Sequence, residues 1–260
     1  MNLQGGGARG RHAWLHQARA LVLKDLRAEL RTKVAISSVG VFTLSSLLLM
    51  ALATRALKEA ATVNLLTLPD VVSQTQLRAV MVPAWDPAGK MGLLWVLLCF
   101  AAFAGLSHSF VHEEATGTST ALRMAISPSA VYTGKLVYNF VLLETIEIVV
   151  TPLYMLVTGM QTGPPAAFFL LMLGGCVGRA GAATVVAALT AKAQSTGALY
   201  GAVGLPLLIV FLVMLLNGAS TLYAADYSTI RLVKDIGGLF SYGILLIAVS
   251  ALTFHFVWEE

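Results

Sequence analysis

Charge is what this sequence has least of. Only 12% of its 260 residues are Asp, Glu, Lys or Arg, against about 25% in soluble domains. Disorder needs low hydrophobicity and high charge, and here 57% of residues are hydrophobic. An ordinary soluble domain is excluded too, because it has no means of hiding so much apolar surface. Cysteine is nearly absent: Cys99 and Cys176 both sit inside apolar runs. No disulfide scaffold or local metal–thiolate spacing exists, so both read as small packing residues. Catalytic signatures are missing as well. The string nearest to a P-loop, Ser129 to Leu136, contains Gly134–Lys135 but lacks the leading glycine and the final hydroxyl that a phosphate cradle requires. No G-x-S-x-G or H-E-x-x-H is present, so no enzyme activity is expected. The start of the chain is not expected to be a cleavable signal peptide, because its basic region is too long and the next apolar run is of spanning length.

What is present is apolar sequence in six blocks, at about 34–54, 92–111, 136–159, 166–190, 197–218 and 236–258. Each approaches the about 20 residues that a membrane-crossing helix needs. Backbone groups in hydrocarbon must be satisfied within the segment, so the blocks read as helices. The short alternating segments of an outer-membrane barrel do not occur. The expected architecture is an all-α membrane protein. A cytoplasmic segment, 1–33, precedes a single domain of six transmembrane helices, 34–258.

Orientation follows from the basic residues near span ends. Arg9, Arg11, Arg19, Lys24, Arg27, Arg31, Lys33, Arg123, Lys135 and Lys192 fall on one side; Arg55, Lys58, Arg78, Lys90, Arg231 and Lys234 fall on the other. The larger set places both termini in the cytoplasm, with the chain in the inner membrane. Residues 14–31 read as an amphipathic helix in the membrane interface. Leu15, Ala18, Val22, Leu26 and Leu30 recur at spacings of three and four, and His16, Arg19, Lys24, Arg27 and Arg31 line the other side. This basic segment beside an apolar chain suits anionic lipid headgroups rather than nucleic acid.

The loop after the second span is the most informative stretch. Gly117 breaks the chain, Thr118 or Ser119 can cap a helix of about two turns, and Pro128 closes it. Ser127 or Ser129 can then cap the third span. A short exposed helix clipped at both ends suits docking to a soluble partner. The long outer connection, 55–91, has room for a surface helix at about 63–82. His108 and His112 stand four apart, a spacing that can hold a metal or offer haem an axial ligand. No third ligand accompanies them, so interfacial polar residues are the plainer reading.

Three charged residues lie at membrane depth: Glu144, Glu147 and Arg179. Such groups are costly in hydrocarbon and mark functional candidates. The glutamates share a helix face, and depth counting puts Arg179 level with Glu144 and one turn from Glu147. Two readings stand. One is a buried ion pair that fixes packing; the other is a polar point on a transport path or subunit interface. Gly174, Gly175, Gly178 and Gly181 permit close helix approach, as do Gly197 and Gly201. Pro152 and Pro206 predict kinks.

The string Ser109–Phe110–Val111–His112–Glu113–Glu114–Ala115–Thr116–Gly117–Thr118, followed by Ile126–Ser127–Pro128–Ser129 and Tyr132–Thr133–Gly134–Lys135–Leu136, resembles the six-span permeases of ABC-2 type exporters. Within that class it is most similar to the haem exporter protein B family of the cytochrome c maturation system. Thr151–Pro152–Leu153, Gly204–Leu205–Pro206–Leu207 and the opening Lys24–Asp25–Leu26–Arg27–Ala28–Glu29–Leu30–Arg31 also fit. The resemblance implies a coupling helix between spans two and three. Glu113, Glu114, Gly117, Thr118, Ser119, Leu122, Arg123 and Met124 would meet a cytoplasmic ATPase that carries ATP and Mg. It further implies a haem-handling membrane subunit, a small single-span subunit and a periplasmic haem chaperone as partners. Whether this chain itself touches haem, and whether one or two copies sit in the complex, stay open. So does a permease of the same class for another cargo, such as a lipid, glycan or drug. The connection 55–91 is longer than the family leads one to expect.

Overall fold

The computed structural model describes residues 6–67, 87–106, 126–190, 196–224, 226 and 228–259. Among these the chain is entirely helical: α1 Gly6–Thr32, α2 Val34–Thr67, α3 Pro87–Leu106, α4 Pro128–Thr158, α5 Pro165–Thr190, α6 Thr196–Leu222 and α7 Thr229–Glu259. Four of them contain stretches long and apolar enough to cross a membrane, at Ile36–Ala53, Pro128–Thr158, Pro165–Thr184 and Thr229–Phe254. Shorter apolar stretches lie at Pro87–Ala102 and Pro206–Leu222. The chain is thus a multi-pass, all-α membrane protein.

The long connection expected over 55–91 is partly helix: α2 continues to Thr67 and α3 begins at Pro87, while residues 68–86, with most of the surface helix expected at about 63–82, lie outside the described residues. Arg55, Ala56, Leu57, Lys58, Glu59, Ala60 and Ala61 are strong helix formers, and a helix need not stop where its apolar stretch does. The third span also starts earlier than residue 136. Pro128 opens α4, using the position where a missing N–H costs nothing. Ser127 stands at the cap in extended backbone (φ −66°, ψ 145°) and makes no capping bond. Its hydroxyl turns instead toward Gln17 Oε1 of α1, at 3.4 Å. α4 and α6 both continue past their prolines, Pro152 and Pro206.

α5 is the hub. Its apolar stretch is 72% buried, whereas the other three long ones are 17–33% buried and present wide apolar faces outward. Small residues explain how neighbours reach it. A Cβ on Gly178 would lie 2.1 Å from the Phe211 ring of α6, and one on Gly243 of α7 would lie 3.4 Å from the Gly178 backbone. Gly174 and Gly181 likewise admit Leu239 and Ile247 of α7. Without a hydrophobic drive between helices in lipid, such backbone approach is a main source of association.

α1 is fastened to the N-terminal half of α4. Lys135, almost fully buried, pairs with Asp25 at 2.9 Å. Gly134 leaves room for Leu21 and the Ala18 carbonyl. Glu29 accepts from the Ile36 N–H at 2.8 Å, which closes the start of α2, and faces the Tyr138 hydroxyl at 3.5 Å. Lys33, with φ +56°, is the single residue between α1 and α2. The buried face of α1 is therefore Ala18, Leu21, Asp25 and Glu29, whereas Leu15 and Leu30 are 54% and 67% exposed, as an apolar face turned toward lipid would be. Asp25 and Glu29 turn inward to partners on α4, whereas His16, Arg19, Lys24, Arg27 and Arg31 stay exposed.

At the far end, two glycines in left-handed backbone, Gly159 (φ +64°) and Gly163 (φ +63°), shape the turn from α4 to α5. Tyr223 donates to the Gln161 carbonyl at 2.6 Å and clamps that turn. Burial pushes its phenol up to about 12, so it stays a donor across the physiological range. Gly178→Ala should lower stability by about 1–3 kcal/mol through overpacking against Phe211. Gly237→Ala, where nothing lies within 4 Å of the added carbon, should be neutral or slightly stabilising. Thermal unfolding in detergent reads both.

Candidate functional site

α4 and α5 run antiparallel, and one buried hydrogen bond fixes their register: Asn139 donates to Thr184 Oγ1 at 2.8 Å. Eight residues toward the connecting turn on each helix, Glu147 stands level with Cys176; five residues along, Glu144 stands level with Arg179. Each helix thus contributes two polar groups three residues apart, on the faces that meet.

Arg179 is nonetheless bonded to Glu147: its Nη2 donates to Glu147 Oε2 in a fully buried ion pair. Helix geometry gives the reason. Side chains lean toward the N-terminus of their own helix. Arg179 therefore leans toward the 159–164 turn and Glu147 away from it, so the two meet between their levels. Glu144 leans away from Arg179 and is only partly covered. Of the two pairings left open by depth counting, the structure makes the Glu147 one.

The guanidinium has a second support. It lies 5.2 Å from the centre of the Trp95 ring of α3, a cation–π geometry contributing up to about 2 kcal/mol when desolvated. Trp95 is completely buried and occupies space that a Cβ on Gly175 would fill, at 2.4 Å. Gly175 therefore seats the tryptophan, and the tryptophan lies against the arginine one turn along. Sequence reading missed Trp95, Cys176 and the Asn139–Thr184 bond. The three-residue spacing from Cys176 to Arg179 mirrors that from Glu144 to Glu147, and it was the signal available.

The cluster keeps unused hydrogen-bonding capacity. Buried atoms with no partner include Glu144 Oε2, Glu147 Oε1, Arg179 Nε and Nη1, Trp95 Nε1 and Thr151 Oγ1. Such groups are few in native structures and call for a ligand, ion or internal water. One ligand atom each from Glu144, Glu147 and Cys176 lie within 4.8 Å of one another. The coupling set (Glu113, Glu114, Gly117, Thr118, Ser119, Leu122, Arg123 and Met124) and the pair His108 and His112 lie outside the described residues.

Removing one partner of a buried pair costs about 3–5 kcal/mol, whereas replacing both with apolar residues is often neutral. Arg179→Leu alone should therefore lower thermal stability markedly, and Arg179→Leu with Glu147→Leu should recover most of it. A double variant that folds with wild-type stability but has lost function would show that the pair does more than fix packing.

No protein-family model, no curated protein and no solved structure matches this chain. The functional reading therefore comes from the chain's own residues.

Proposed function

We propose that this chain is the membrane permease subunit of an ABC transporter complex acting in cytochrome c maturation. It would serve haem export, or the ATP-driven release of a haem-loaded chaperone. The observation that carries this reading is the sequence from Ser109 to Thr118, with Ser127–Pro128 and Gly134–Lys135 after it. An acidic pair, a Gly-Thr break, a Ser-Pro and a Gly-Lys opening the next span follow the pattern of ABC-2 type coupling loops. The chain has no nucleotide-binding motif of its own, so ATP and Mg belong to a separate cytoplasmic ATPase docking on residues 112–129.

Further support comes from the helices. Counting α3 and α6 with the four long apolar helices gives six spans, the number in that class of permease. The bias of basic residues supports both termini in the cytoplasm, and the exposed Leu15, Leu23 and Leu30 support α1 lying at the inner interface. In that position a load on the docking loop has a short path to α4, which starts at Pro128, and through Asp25–Lys135 to α1. The other partners would be a haem-handling membrane subunit, a small single-span subunit and a periplasmic haem chaperone. The same loop also suits an ABC-2 permease with another cargo, such as a lipid, glycan or drug.

Deleting the gene and staining c-type cytochromes for haem decides between these cargoes: loss of haem staining is expected, and normal staining overturns the cytochrome assignment. Gly117→Pro should remove ATPase co-purification and lower cytochrome c levels while the membrane domain stays folded. Unchanged co-purification and cytochrome levels would show that the ATPase docks elsewhere.

A further inference from the structure

Glu144, Glu147, Arg179 and Cys176 form a polar centre in an apolar surround, where polar groups without partners are strongly disfavoured. Three observations point to what completes it. First, the ligand atoms of Glu144, Glu147 and Cys176 converge within 4.8 Å of one another from two helices. Second, Glu147 is 3% exposed, and only one of its oxygens is used: Arg179 holds Oε2, while Oε1 is buried without a partner. Third, Cys176 is fully buried; its contact to the Phe140 carbonyl, at 3.7 Å, is long, and its other hydrogen-bond contact is with Glu144 itself, across the two helices.

We propose that Glu144, Glu147 and Cys176 form a divalent transition-metal site of zinc-like chemistry between α4 and α5. Two carboxylate oxygens and one sulfur are a donor set for a borderline-soft ion. Calcium and magnesium take oxygen ligands only, so the sulfur selects against them. Metal–ligand bonds of about 2.0–2.3 Å need the three donors slightly closer than they stand, which a rotamer adjustment of the partly covered Glu144 supplies. Coordination forms a metal–sulfur bond, breaks the Cys176 S–H bond and releases that proton to solvent. The formal charges then cancel: two carboxylates and one thiolate against one guanidinium and one divalent ion. Arg179 does not compete with the ion. It orients the Glu147 carboxylate through the other oxygen, as outer partners of metal ligands commonly do. Water fills the fourth position, as in open zinc sites. The site rests on α4 and α5 alone and stands or falls separately from the exporter assignment.

The test uses the purified full-length chain in lipid nanodiscs, with Zn2+ and Co2+ as probes. Expected results are one ion per chain, a thiolate-to-cobalt charge-transfer band, and a raised thermal midpoint with Zn2+. Cys176→Ser should abolish the band, and Glu144→Gln should weaken Zn2+ binding by about tenfold or more. Both variants leave the Arg179–Glu147 pair intact, so they test the site without breaking the fold. Cys99→Ser, a change at the other buried thiol, should keep the band. Absence of stoichiometric binding overturns the proposal. So does a band that survives Cys176→Ser, or one lost instead in Cys99→Ser.

Discussion

An arginine that cannot lose its charge sits in the most buried of the four long apolar helices described, and much of the bundle is arranged around making that tolerable. A lone arginine at the centre of a membrane-crossing helix costs about 2.5–3.5 kcal/mol by insertion measurements, and more by other accounts. Arg179 meets that cost with a carboxylate on α4 and an aromatic face on α3. Both partners require close approach to α5, and Gly175 makes the aromatic one possible. The glycines and the charge are thus one device. The same small-residue face that lets α6 and α7 pack on α5 also shields the arginine from lipid.

A second charged contact governs the other end of α4. Lys135 is as buried as a core leucine and pairs with Asp25, which makes α1 an integral layer of the bundle. Breaking that contact would strand a charge, so α1 and α4 are expected to move together. The helix keeps Leu15, Leu23 and Leu30 exposed and turns a mixed face of Ala18, Leu21, Asp25 and Glu29 to the protein.

Sequence made much of this legible. Hydrophobic blocks located the helices because lipid demands internally bonded backbone, and the glycine spacing on α5 announced close packing. Depth counting placed Arg179 within reach of two glutamates. It did not choose between them, because it tracked backbone levels and not the lean of side chains along opposed helices. The end of α2 was missed because the change in composition at Arg55 marks the end of apolar sequence, whereas helix propensity continues. The face that α1 turns to the protein was not legible in its apolar pattern, which marks only the lipid-facing side. Asp25 and Glu29 share a stripe with Ala18 and Leu21, but their partners on α4 are more than 100 residues away in sequence.

Lys135, Asn139, Glu147, Thr151 and Thr158 are all buried and fall on one side of α4, whereas Ile148, Val149, Leu153, Leu156 and Val157 are exposed. In a soluble protein an apolar stripe orients a helix. In lipid, leucine facing outward is as comfortable as leucine facing inward, so apolar residues cannot fix rotation. A turn of α4 by one residue, about 100°, would carry a lysine, an asparagine and a glutamate toward hydrocarbon. The polar stripe therefore sets the rotation of α4, and the Asn139–Thr184 bond with the Arg179–Glu147 pair sets its height against α5. Polar groups that add little to stability one by one here specify which arrangement the bundle adopts. The same requirement holds Glu144, Glu147 and Cys176 at a common point between the two helices.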